Sequence, residues 1–181
     1  MGVDGRIGML RKLLSNQYMF SLITKFFLVT SGVLNSVFIN RYLGPALKGE
    51  YVFVLNAVNL VVLILNLGIY QSYPNSKRNN LPNVKQKYYN ICIMQFVVYL
   101  VLALVLSLIV GSIRYAIIFT LVPFNILTKQ LLFITMIENI NLRNAINIAN
   151  QMLYTVMLAV LYVLAPRNYY YIIALLYIKD I

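Results

Sequence analysis

The stretch "RYLGPALKGEY", residues 41–51, holds a glycine-proline pair, a second glycine and three charges. It separates two apolar runs, each long enough to cross the roughly 30 Å hydrocarbon core of a bilayer, which takes about 20 helical residues. Its residues read as a turn between two helices at a membrane surface. Arg41 and Tyr42 anchor in the headgroup region. Gly44 takes a left-handed cap, and Pro45 stops the first helix. Gly49 loosens the re-entry, and Glu50 sits at the positive N-terminal end of the second helix. The expectation is a helical hairpin within an all-α, polytopic transmembrane bundle.

The rest of the chain agrees with that reading. Of 181 residues, 61% are hydrophobic and 10% charged, with a mean hydropathy of +0.79, where a soluble domain carries about 25% charged residues. Five full spans are expected at 18–40, 51–72, 88–110, 114–137 and 146–165, and the start of a sixth at 168–181, behind a basic cytoplasmic or interfacial tail at 1–17. The sixth apolar run, 169–178, would make roughly 15 Å of helix, half a bilayer. Either that helix ends in the membrane, or the chain is the N-terminal lobe of a longer protein. Tyrosines mark the span ends, among them Tyr18, Tyr42, Tyr51, Tyr70 and the cluster at 169–171.

Lys and Arg in alternate loops set the orientation, because cytoplasmic loops keep the positive excess. With the N-terminus inside, the cytoplasmic side holds eight: Arg6, Arg11, Lys12, Lys77, Arg78, Lys85, Lys87 and Arg143. The other side holds four: Arg41, Lys48, Arg114 and Arg167. A multi-pass protein of the cytoplasmic membrane with an inside N-terminus follows. The first apolar run is too long for a cleavable signal peptide and lacks a small-residue cleavage site, so it is retained as a span.

Several function classes fall away. The net charge of +11 sits between apolar blocks and not in one aromatic-rich stripe, so it reads as topology signal and contact with membrane lipids, and no nucleic-acid partner is expected. The lone Cys92 permits no disulfide or thiolate metal framework, and histidine is absent. Neither a GxxxxGK phosphate loop nor a GxGxxG fingerprint occurs. No metal, cofactor or enzymatic chemistry is expected.

Polar groups at membrane depth are the candidate site. On an ideal first helix, Ser21, Thr24, Lys25, Ser31, Gly32, Asn35 and Ser36 fall within a sector of about 140°. Asn56, Asn59 and Asn66 fall within about 80° on the second. Two accounts fit: polar side chains bridging neighbouring helices, or a hydrated central cavity lined by both. The second requires Asn35 and Asn56 to face a common vestibule. Lys25 and Lys129 lie at similar depth from their cytoplasmic ends, roughly 10 to 12 Å in. They either snorkel to the interface or form a cationic patch on a cytoplasm-facing cavity suited to phosphate. Pro123, near the middle of the fourth span, is expected to kink it and is a candidate gating hinge. Glu138 and Arg143 belong to a solvated inner loop.

An inner basic tail, a polar-faced first helix and then "RYLGPALKGEY" resemble the lipid-linked oligosaccharide flippases of the polysaccharide biosynthesis family, which include O-antigen and teichoic acid exporters. Their superfamily also contains the multidrug and toxin extrusion transporters. The stretch "KQLLFITMIENINLRNAINIANQMLY" looks like that family's fourth helix, inner loop and fifth helix. The resemblance implies two six-helix lobes that move a polyprenyl-diphosphate-linked glycan by alternating access, with Lys25 most like the cationic residues that meet the diphosphate. One lobe alone cannot surround a cavity, so a second lobe or a second copy is the implied partner. Two alternatives stand beside this: an exporter of cationic drugs, which calls for buried acids, and a non-transporting membrane scaffold.

Overall fold

In the computed structural model, which describes residues 17–164 and 166–179, the described residues are helical with no strand. The order is α1 (Gln17–Leu65), a 3₁₀ turn (Ile69–Ser72), α2 (Tyr73–Arg78), α3 (Val84–Val110), α4 (Ile113–Glu138), α5 (Ile140–Leu164) and α6 (Tyr169–Lys179). Four helices, α1, α3, α4 and α5, are long and apolar enough to cross a membrane.

The first is not a straight rod. A continuous helix of 49 residues would extend about 73 Å, yet residues 32–40 and 48–59 line one cavity. The chain folds back at Gly44, the residue with non-helical backbone inside α1 (φ 69, ψ −179). This is not the left-handed cap expected of Gly44, and that region of backbone space is essentially restricted to glycine. The break is therefore one residue wide, and it divides α1 into a first arm, 17–43, and a second arm, 45–65.

This corrects the details of the expected hairpin. Pro45 does not stop a helix; it opens the second arm, where its fixed φ and missing N–H cost least. Gly49 is helical. Glu50 lies more than a turn inside the second arm and pairs with Arg114 at 2.6 Å. The second arm ends at Leu65, short of residue 72, and Gly68 (φ 65) leads into the 3₁₀ turn. The inner loop expected around Glu138 shrinks to Asn139, because α5 begins at Ile140.

α4 is the hub. Its buried Ile118, Val122, Ile126, Gln130 and Ile134 recur every four residues, a spacing that lays one continuous ridge along the helix. Packed on it are α3, α1 and α5. The main core joins Val54, Val58 and Val62 of the second arm to Ile118 and Leu121 of α4 and to Ile172 and Ile173 of α6. α6 is thus an interior helix over its first turns, with Ile172 fully buried. A smaller cluster, Tyr73, Val84, Cys92 and Ile134, closes the far end. α4 runs unbroken through Pro123, which is buried. α3, by contrast, buries only Val84, Cys92 and Ala103; the remainder of its apolar surface suits lipid.

Replacing Gly44 with alanine should lower stability by about 1–3 kcal/mol, the cost of a non-glycine residue in that backbone region. Gly49→Ala, inside a helix and with open space around its Cβ position, should be neutral or stabilise by about 0.5–1 kcal/mol. Thermal unfolding of both variants in detergent, followed by circular dichroism because the chain lacks tryptophan, measures the contrast.

Candidate functional site

One edge of the polar face of the first arm turns inward, toward α5, while Lys25, Gly32 and Ser36 remain exposed. Thr24, Ser31 and Asn35 are buried, and their spacing of seven and then four residues keeps them on one stripe. Near its start the stripe makes helix-to-helix bonds: Asn144 Nδ2 of α5 donates to Ser21 Oγ at 2.8 Å. Thr24 returns its hydroxyl proton to the carbonyl of Phe20 at 2.8 Å. A similar amide pair ties α4 to α3, with Gln130 Nε2 donating to Gln95 Oε1 at 2.9 Å. Here the bridging account holds.

Farther along the stripe the pattern changes. Asn35 is 4% exposed, and neither its amide nitrogen nor its carbonyl oxygen has a hydrogen-bond partner. Such a group costs about 1–3 kcal/mol unless water or a ligand completes it. It faces a cavity of about 430 Å³ between the two arms of α1. Gly32, Ser36 and Asn40 form one bank, and Lys48, Val52 and Asn59 the other. Asn125 of α4 and Gln151 and Tyr154 of α5 contribute to the floor. Amides and hydroxyls dominate its polar lining, with one ammonium and no carboxylate.

The cavity lies toward the Gly44 end of the bundle. Asn40 and Lys48 are each four residues from Gly44, about 6 Å along the axis, while Gly32 and Asn59 lie about 18 and 22 Å away. Lys48 is half-buried and makes no ion pair among the described residues.

Both described carboxylates are held at the ends of the bundle. At the Gly44 end, Glu50 pairs with Arg114, whose guanidinium lies 5.8 Å from the Phe53 ring centre, and Tyr42 donates its hydroxyl to the carbonyl of Pro166 at 2.5 Å. At the far end, Glu138 accepts from Lys77 Nζ at 2.7 Å and from the Tyr73 hydroxyl. Burial first, then the bond to Glu138 and its charge, raise the Tyr73 pKa above its ordinary value. The phenol therefore remains a donor across the neutral range.

The expected site residues divide. Asn35 and Asn59 line the cavity together; Asn56 is exposed and does not, so the vestibule expected between Asn35 and Asn56 is not formed and the cavity is shared by Asn35 and Asn59 instead. Lys25 and Lys129 are exposed and outside its lining. By helical register Lys25 shares a flank with Gly32 and Ser36, and Lys129 lies one turn beyond Asn125. Both thus sit past the far end of the cavity, on helix sides that lead to it. Glu138 is a ligand for Tyr73 and Lys77, not a loose loop carboxylate. Arg143, expected in the inner loop with Glu138, is helical, as is its neighbour Asn144, which is buried.

Lys48, Asn40, Gln151 and Tyr154 belong to the cavity and were not singled out. Starting the second helix at Pro45 would have found Lys48, since it then falls within about 20° of Asn59 on one face. Gln151 follows Asn144 by seven residues on α5, a two-turn polar repeat.

Compared with protein-family models, with curated proteins and with solved structures, the chain finds no match. In a Cys92→Ala background, Asn59→Cys should react with a water-soluble maleimide in native membranes. Leu63→Cys, on the 77% exposed apolar flank, should react at least about tenfold more slowly, since the reactive thiolate is disfavoured in apolar surroundings. Mass spectrometry of the labelled protein reads the ratio.

Proposed function

We propose that this chain is the helical lobe of a flippase-type transporter. It moves a polyprenyl-diphosphate-linked oligosaccharide across the cytoplasmic membrane for surface polysaccharide synthesis by alternating access. The observation that carries the reading is the carboxylate-free polar cavity between the arms of α1, with the unpartnered Asn35 facing it. A solute rich in hydroxyl and amide groups satisfies such a lining. A cationic drug does not, because the acids that would bind it are absent from the cavity.

In this reading each arm of α1 is one span, so that with α3, α4 and α5 there are five, and α6 begins a sixth. The N-terminus is cytoplasmic. A second lobe or a second copy faces the open side of the cleft, where Gly32, Ser36 and Asn59 remain exposed. Lys25 and Lys129 form a cationic rim at the cytoplasmic approach and meet the diphosphate before the glycan enters. Pro123 lies on α4 between Leu121 and Asn125 of the cavity lining and is the hinge candidate there.

Asn35→Leu together with Asn59→Leu should reduce surface polysaccharide at least about tenfold with membrane levels of the protein unchanged, the effect of losing roughly 1.4 kcal/mol or more of substrate interaction. Immunoblotting of surface glycan beside the tagged protein gives the readout. Export at the parental level would overturn the reading.

A further inference from the structure

We infer that the cavity between the arms of α1 is a sugar subsite with an anion-binding end at Lys48. The glycan unit it takes carries an acidic group, a carboxylate or a phosphate, and this rests on the transport reading above.

Two independent features of the cavity lead there. The first is the amide set. Asn35, Asn59 and Gln151 carry amides with both donors and an acceptor, and Asn125 adds a carbonyl oxygen, which is what a ring of hydroxyls, each donor and acceptor at once, requires. Asn35 is buried with both ends of its amide unmet, so the fold leaves bonding capacity directed into the space and not into a neighbouring helix. The volume of about 430 Å³ lies within the usual range of small-molecule pockets, room for one or two sugar rings.

The second feature is charge. Lys48 is half-buried in the lining and has no counter-ion among the described residues, because Glu50 and Glu138 are occupied by Arg114 and Lys77. An ammonium in that setting favours an anion, and a charge-assisted bond is about twice as strong as a neutral one. Lys48 stands about 6 Å from the Gly44 turn along the axis, so the acidic group lies at that end and the neutral ring faces reach inward to Asn35. Lys25 and Lys129 play no part in this subsite, since they lie beyond its far end.

The test uses the 181-residue chain in lipid nanodiscs, with Val52→Cys on the cavity bank as reporter in a Cys92→Ala background. Maleimide labelling is timed with glucuronate, glucose or inorganic phosphate at equal concentration and ionic strength, the last control removing bulk screening. Glucuronate should slow labelling about fivefold more than glucose, and Lys48→Ala should erase that difference while Lys25→Ala leaves it intact. Protection by phosphate equal to that by glucuronate, and lost in Lys48→Ala, would keep the anion end and assign it to the phosphate linker. Equal protection by glucose and glucuronate, or a Lys48→Ala variant that behaves as its parent, overturns the inference. Absence of protection by all three also overturns it, and leaves the transport reading standing where export still depends on Asn35 and Asn59. Should the reporter variant fail to fold, the thermal shift of the unmodified chain with the same three solutes gives the same ranking.

Discussion

Hydrocarbon offers no hydrogen bonds, so every polar group carried to membrane depth must be completed by protein, by water or by a solute. That constraint sorts the polar side chains of this chain into three sets. Thr24, Ser107, Thr128 and Thr135 give their hydroxyl protons to carbonyls one turn earlier in their own helices. Ser21 with Asn144, and Gln95 with Gln130, bond across helix pairs, the glutamine pair leaving Gln95 Nε2 and Gln130 Oε1 unmet. A third set, Asn35, Asn40, Asn59, Asn125 and Gln151, borders one space, and Asn35 marks it by finding no partner.

Charge follows the same logic with higher stakes. The two described carboxylates are spent at opposite ends of the bundle, Glu50 on Arg114 and Glu138 on Lys77. Each pair joins segments distant in sequence, so the ends are tied while the middle is left to packing. The interior then holds amides, tyrosine rings and one ammonium near an end. Bridging holds near the start of the polar stripe; farther along, the stripe borders a cavity shared by Asn35 and Asn59, not the vestibule expected between Asn35 and Asn56.

Much of the bundle was legible in the chain. Span-length apolar runs place α3, α4 and α5 to within a few residues at most boundaries, because those ends are fixed by composition. The turn at Gly44 was also readable, since glycine before proline allows one backbone geometry that other residues resist. What was not legible was how little chain the turn consumes. Charged residues at 48 and 50 look like loop, yet both are helical, because a helix entering from the headgroup region tolerates ions on its first turns. Lys48 was hidden for that reason. The pairing of Glu138 with Tyr73 and Lys77 was hidden for another: it spans more than sixty residues of sequence, and no periodicity within one helix encodes a contact between helices. Lys25 and Lys129 lie on helix sides that lead to the cavity but beyond its far end, because helical register gives a residue's side and not how far along the axis the cavity extends.

A turn confined to Gly44 also has a mechanical consequence. Two stiff rods joined at a single residue behave like tongs, with all the angular freedom at the pivot and the greatest travel at the tips. An arm of about 31 Å swung by roughly 10° displaces its free end by about 5 Å, close to the width of a sugar ring, while atoms beside the pivot hardly move. Small torsional adjustments at one glycine are thereby amplified into a change of aperture far from it.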